Sequence, residues 1–295
     1  MRKIKKTTRK YILASIASIS CFVTLAGTST AGELTDQEET KRPILIQGPM
    51  PIEAEEFASR LKDVEVEESG STFEFYTGTV DDYPVIVSKT GKGMENTAAA
   101  TAVAILKYNP AAIINQGTSG GHDPDLNVFD IVLGERTVNI GSMKTGDRAE
   151  GEGIVATDWK PMDVMASEGS AGEDPNAEKA RYYDADPDLL AAARKVKGSY
   201  TKGKIVEGTI GSADLWNNEV DRINWFHENY GTSVEEMESA SSAMISKAYD
   251  VPFLAIRILS NNKTNNGAYN SETAAANQEY VYEVVREYIS FLKSK

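Results

Sequence analysis

The chain of 295 residues contains one cysteine and two histidines. Cys21 sits inside an apolar N-terminal run, so the body of the chain offers no disulfide, no thiolate nucleophile and no cysteine-ligated metal. His122 and His227 stand far apart in the sequence, and no H-x-x-H or H-E-x-x-H string exists, which excludes the usual zinc patterns. There is no G-x-S-x-G string for a serine nucleophile elbow and no Gly-Lys-Ser/Thr ending for a phosphate loop. Beyond the N-terminus no segment is long and apolar enough to span a bilayer. Basic charge is scarce as well, with 31 Lys+Arg against 44 Asp+Glu.

The first 31 residues are composed differently from the rest. Arg2, Lys3, Lys5, Lys6, Arg9 and Lys10 form a basic head, Tyr11 to Ala26 is mostly apolar or small, and Ser29-Thr30-Ala31 presents small residues for cleavage. The expectation is a secretory signal peptide over 1–31, a polar flexible leader over 32–42 and a single domain over 43–295, with the protein exported. A lipid anchor on Cys21 is disfavoured because Ser18-Ile19-Ser20 lacks the leucine-like residue of a lipoprotein signal. Removing six of the 31 basic residues leaves 25 against 44 acidic ones, a formal net charge of −19. Such a surface repels phosphate backbones and anionic lipid, so neither nucleic acid nor, after cleavage, a stable membrane insertion is expected.

From Pro43 onward short β-branched runs alternate with helical patterns. "PILIQG" and "AAIINQG" read as buried strands, and "TFEFYTGTV" and "YPVIVSKTG" as a hairpin turning at Asp81-Asp82. Pro51 to Asp63, the alanine-rich "MENTAAATAVAILKY" and "DPDLLAAARKV" read as helices, the last opened by Asp186 and Pro187. Strands separated by helices of this length imply an α/β fold: a three-layer sandwich with a mixed, largely parallel central sheet flanked by helices. Gly146 to Glu178, rich in Gly, Asp and Glu and weakly periodic, reads as a long surface excursion.

In such folds ligands bind beyond the carboxyl ends of the strands. "GTSGG" after one strand is either a tight turn or a place where backbone amides approach an anion or polarised water. "EEMES" is either an acidic helix N-terminus or a carboxylate able to grip two vicinal hydroxyls, with a methionine against the apolar face of a sugar. Trp216 serves equally as core or as a wall for an aromatic ligand.

Taken in order, these strings resemble the nucleoside phosphorylase superfamily, in particular its methylthioadenosine/S-adenosylhomocysteine nucleosidase branch. Gly48, Met50 and Glu53 match the Gly-x-Met-x-x-Glu turn whose glutamate activates the attacking water, which implies that Glu53 is the general base. "INQGTSGG" is similar to the family's Asn-x-Gly-Ser-x-Gly-Gly, placing Thr118, Ser119 and Gly120 at the substrate. "EMES" matches the string whose methionine and second glutamate bind ribose, implicating Met237 and Glu238. "ADLWNN" falls where the family reads the base edge, implicating Leu215, Trp216 and Asn217. "RILSN" matches Arg-x-x-Ser-Asp, so Arg257 is implied to help hold the water and Ser260 to line the site. Asn261 replaces the aspartate that protonates or polarises the purine.

An amide cannot supply a proton, yet it donates one hydrogen bond and accepts another. The resemblance therefore implies a nucleosidase acting on adenosine-type or 6-oxopurine nucleosides, without a cofactor and as a homodimer or larger homo-oligomer. A non-catalytic nucleoside-binding or storage protein and a phosphate-dependent phosphorylase stay as alternatives. Lys263 is either a solvated loop lysine or a replacement cation near the base.

Overall fold

The computed structural model describes residues 41–70, 72–162, 181–263 and 267–295. The expected signal peptide, the leader through residue 40 and much of the Gly146 to Glu178 excursion lie outside them. Arg42, the last residue of that leader, already belongs to the domain, since its guanidinium donates to the carbonyls of Asn109 (3.0 Å) and Pro110 (2.7 Å).

The chain begins with strand β1 (Ile44–Gly48) and helix α1 (Pro51–Ala58), followed by β2 (Lys62–Ser69), β3 (Phe73–Val80) and β4 (Tyr83–Lys89). Helix α2 (Met94–Tyr108) leads to β5 (Ala112–Gly121) and β6 (Ile131–Asn139), and the short β7 (Met143–Lys144) pairs with β8 (Lys160–Pro161). Then come β9 (Tyr182–Asp184), α3 (Pro187–Lys195), β10 (Ile205–Ser212), α4 (Val220–Tyr230), β11 (Thr232–Glu236), α5 (Ser239–Ala248), β12 (Phe253–Asn261) and α6 (Glu272–Ser294).

Hydrophobic alternation along the strands explains the layers. In β1, Ile44 and Ile46 enter one core with Phe57 of α1 and Tyr280 and Val284 of α6, while Leu45 points to the opposite core with Ile105 of α2 and Ala243 of α5. β5 repeats the division, with Ala112 and Ile114 on the first face and Ile113 on the second. Both faces of the sheet are thus covered, which is why these strands read as continuous apolar runs. The result is the three-layer α/β sandwich expected from the sequence.

Strand order is β11-β10-β6-β12-β5-β1-β4-β3-β2, and β11 also pairs antiparallel with β5, so one part of the sheet closes on itself. Parallel pairing joins β1 to β4 and β5, β5 to β12, and β10 to β6 and β11. Antiparallel pairings extend the edge through β3 and β2. The hairpin turns where expected: Asp81 (φ 48°) and Asp82 (φ 57°) both take the left-handed conformation that a two-residue primed turn needs.

The first helix is shorter than the sequence suggests. It stops at Ala58, Asp63 adopts φ 52°, and Lys62 to Ser69 becomes an edge strand on β3. The residues that follow, "DVEVEES", alternate apolar with charged, and Val64 and Val66 remain 47% and 57% exposed. That pattern has period two and no helical stripe to bury. Asp186 caps α3 as expected, accepting from the backbone N–H groups of Asp188 (3.0 Å) and Leu189 (2.9 Å). Among the described residues no helix is long and apolar enough to cross a membrane.

Candidate active site

The parallel strands bring their carboxyl ends to one edge: Asn261 stands opposite Gly120, Ser212 opposite Glu236, and Gly48 ends β1. A cavity of about 740 Å³ opens there.

At its deep end lies Glu53. A Cβ on Gly48 would fall 2.3 Å from the Glu53 carbonyl oxygen, so only glycine lets the chain fold back this tightly after β1. Pro51 starts α1, and the Glu53 N–H donates to the Met50 carbonyl at 2.9 Å, turning the carboxylate inward to 1% exposure. Glu53 Oε1 accepts from the Thr118 backbone N–H (2.8 Å) and hydroxyl (2.7 Å). Oε2 is buried with no hydrogen-bond partner among the described residues. Burial pushes the Glu53 carboxyl above the usual carboxylate range, and the two Thr118 hydrogen bonds and the charge of Arg257 hold that rise in check. A buried carboxylate with one satisfied and one open oxygen is suited to taking a proton from a water or hydroxyl in the cavity.

Next to it the end of β11 presents Glu236, Met237 and Glu238. Glu236 binds Arg257 through Nε (3.1 Å) and Nη2 (2.5 Å), and also accepts from the backbone N–H groups of Glu238 and Ser239 (both 2.9 Å) at the start of α5. Arg257 is fully buried, and its Nη2 donates as well to Asn115 Oδ1 at 2.5 Å. Glu238 points to the cavity and accepts from the Gly93 N–H at 3.0 Å. Gly93 has φ 96°, a conformation that favours glycine and aims its N–H at the carboxylate. Desolvation, reinforced by the neighbouring Glu236 charge, pushes Glu238 up to about 8 against the opposing pull of Arg257.

The outer end is built from loops. Leu215 and Trp216, after β10, are 40% and 58% exposed, and Trp216 meets Tyr269 edge-on with ring centroids 6.5 Å apart. Asn261 is half-buried at the end of β12, where the Ser260 hydroxyl donates to its Oδ1 at 2.8 Å. Lys263 is exposed and donates to Asn224 Oδ1 at 3.3 Å.

The residues singled out from the sequence come together, with one exception. Glu53, Thr118, Ser119, Gly120, Leu215, Trp216, Met237, Glu238, Ser260 and Asn261 all line the cavity. Arg257, implied to help hold the water, does not line it: the guanidinium lies behind the wall, taken up by Glu236 and Asn115. Its charge acts on Glu53 and Glu238 through the wall instead. Among the lining residues that did not emerge from the sequence as part of the site are Glu236, His122, Glu235 and Tyr269. Glu236 could have been found, since a buried arginine requires a carboxylate and "EEMES" supplies one. Tyr269 lies in a loop without a motif, and the pairing of His122 with Glu235 depends on strand order.

The pattern that defines the phosphorylase superfamily matches residues 43–290. The 5'-methylthioadenosine/S-adenosylhomocysteine nucleosidase of Shewanella pealeana is 32% identical over 193 residues, 65% of this chain and 74% of that protein. The corresponding nucleosidase of Bacillus licheniformis is 28% identical over 221 residues, covering 74% and 84% of the two chains. Among solved structures, the Neisseria meningitidis nucleosidase in complex with methylthio-immucillin-A superimposes with a TM-score of 0.67 at 23% identity, covering 83% of this chain and 99% of that one. A futalosine hydrolase mutant from Helicobacter pylori reaches the same TM-score at 21% identity, over 83% of this chain and 99% of that one.

Proposed function

The chain belongs to the phosphorylase superfamily, and we propose that within it the protein is a nucleosidase, hydrolysing the bond between ribose and a purine base. The observation that carries this reading is the open oxygen of Glu53, which is buried and has no hydrogen-bond partner among the described residues.

Glu53 takes the proton of the attacking water as the water adds to the anomeric carbon, while the glycosidic electron pair leaves with the base. Met237 lies against the sugar, and Glu238 accepts hydrogen bonds from its hydroxyls. Arg257 acts as a positioning residue, fixing Glu236 and through it the turn that presents Met237 and Glu238. Leu215, Trp216 and Tyr269 enclose the base, and Asn261 hydrogen-bonds it.

Hydrolysis is favoured over phosphorolysis by charge. Asn115 and Gln116, just before the Gly-Thr-Ser-Gly-Gly stretch that ends β5, are buried amides engaged with Gln47, Arg257 and Asn277, so neither presents a cation to an anion. The Arg257 guanidinium is already paired with Glu236. A phosphate would meet the Glu53 carboxylate, which is repulsive, whereas a water meets an acceptor.

A panel of adenosine, methylthioadenosine, inosine and guanosine, assayed with and without phosphate, tests the reading. Base release independent of phosphate is expected, and release that requires phosphate would overturn it. A second reading, binding without turnover, is favoured by Asn261, which cannot protonate a departing base. It predicts nucleoside binding by calorimetry, no base release, and a gain of activity in Asn261→Asp.

We also propose export and self-association. The basic and apolar N-terminus supports the first, to be tested by sequencing the N-terminus of protein recovered from the medium. Light scattering tests the second, with a dimer or larger assembly expected.

A further inference from the structure

Glu53 is held from behind as well as from the cavity side. Two consecutive residues of α6, Asn277 and Gln278, are fully buried, and their amides meet the segments that carry and grip Glu53. Gln278 Nε2 donates to the Ile52 carbonyl at 2.8 Å and to the Ala274 carbonyl at 3.1 Å, while its Oε1 accepts from the Phe57 N–H at 2.9 Å. Ile52 and Phe57 are the second and seventh of the eight residues of α1, so one side chain spans that helix from its first turn to its last. Asn277 Nδ2 donates to Gln116 Oε1 (2.9 Å) and to the Gly117 carbonyl (3.3 Å), and Gln116 Nε2 in turn donates to the Glu53 carbonyl. Gln116 stands two residues before Thr118 on β5, so both share the strand face turned to α1 and α6.

This grip is directional where packing is not. An eight-residue helix is too short to keep its shape alone, so tertiary contacts decide where its first turn lies. Ala54 and Phe57 bury against Tyr280 and Val284 of α6, but apolar contact is non-directional and leaves small rotations of the helix open. Hydrogen bonds to Ile52, Glu53 and Phe57 close them, and with them the direction of the Glu53 side chain. All three anchoring side chains are neutral amides, fully buried and outside the cavity lining. A charged anchor would move the Glu53 carboxyl up or down, whereas an amide sets its position and leaves its charge alone. Asn277 carries a penalty as well, since its Oδ1 is buried with no partner among the described residues. An apolar side chain would avoid that penalty but leave Gln116 Oε1 without its donor.

We propose that Asn277 and Gln278, with Gln116 as the link, are positioning residues that keep the Glu53 carboxylate on Thr118 with its second oxygen free for the attacking water. The inference rests on the reading of Glu53 as the general base.

The test measures base release from whichever of adenosine, methylthioadenosine, inosine and guanosine the wild type cleaves fastest. Gln278→Met and Asn277→Leu are compared with wild type, each alone and combined with Glu53→Gln; either substitution suffices should the other not fold. Misplacing a reacting group by about 1 Å costs up to about a hundredfold, so kcat is expected to fall about ten- to hundredfold with KM changed by no more than about twofold. In the Glu53→Gln background the same substitutions are expected to change kcat by less than about twofold, because the group they position is already gone. Loss by the same factor in both backgrounds, or an unchanged kcat in the single variants, overturns the assignment. A second readout needs no turnover: hydrogen exchange of the Thr118 amide, whose N–H donates to Glu53 Oε1 at 2.8 Å. Its protection is expected to fall by about tenfold or more in Gln278→Met and Asn277→Leu while that of Ile113 in the same strand is kept, and unchanged protection at Thr118 overturns the assignment. If the wild-type chain releases no base, the hydrolase reading fails separately and the exchange measurement alone decides the positioning.

Discussion

The two ends of the cavity are built by different means. At the water and ribose end, Glu53, Glu236 and Glu238 lie at strand ends or a helix start, are no more than 5% exposed, and are fixed by hydrogen bonds from backbone N–H groups. At the base end Leu215, Trp216 and Tyr269 stand on loops and are 39–58% exposed, with Asn261 at the border. The sheet determines the first arrangement, because moving any of its members would break the strand ladder or bury an unpaired charge. The second can change side chain by side chain. On the reading proposed above, hydrolysis and ribose binding fall where the fold is least adaptable, and the walls that enclose the base where it is most so.

The contrast can be broken most severely at Glu53. Glu53→Gln removes the base and is expected to lower kcat by about 10²–10⁴-fold in a base-release assay, with little loss of nucleoside binding. Arg257→Met attacks the same end through stability: it leaves Glu236 buried without its partner and is expected to destabilise the fold by about 3–5 kcal/mol in urea titrations.

Glu238→Gln gives a subtler outcome that depends on pH. With its carboxyl raised from 4.5 to about 8, the folded protein holds a proton there that the unfolded chain has released. The contribution of Glu238 to stability is therefore full below pH 4.5, falls as the pH rises towards 8 and is level above that. Melting curves of wild type across this window should show that decline, and Glu238→Gln should remove its share of it while raising KM for nucleosides. The smallest effect belongs to the loop end. Trp216→Ala is expected to raise KM several-fold while changing stability by no more than about 0.5 kcal/mol. A large loss of stability there would show that the loop end is as rigidly built as the strand end.

Glu53, Met237 and Glu238 could be placed at the cavity from the chain, because the Gly48-to-Glu53 turn and "EMES" are short contiguous strings that the family resemblance picks out. The apolar runs of β1 and β5 likewise announced a sheet covered on both faces. The strand at Lys62 to Ser69 was not legible as such, since an exposed edge strand made of glutamates lacks the buried run that marks the others. Arg257 illustrates a different limit. Its place in "RILSN" implied help in holding the water, but nothing in the string reveals that Glu236 and Asn115 take up the guanidinium. Those partners lie 21 and 142 residues away.

By itself, the sequence determined the fold class, through the period of its apolar side chains, and its resemblance to the nucleosidase branch marked the Glu53 turn, the "EMES" string and Asn261 at the acid position, each within a few contiguous residues. Only the tertiary structure decided that Arg257 stands behind the cavity wall, that one Glu53 oxygen is left open, and that Glu235 and Asn261 flank Gly120 from two different strands. Hydrogen bonding between strands sets those distances, and strand order is not encoded in any single stretch of the chain.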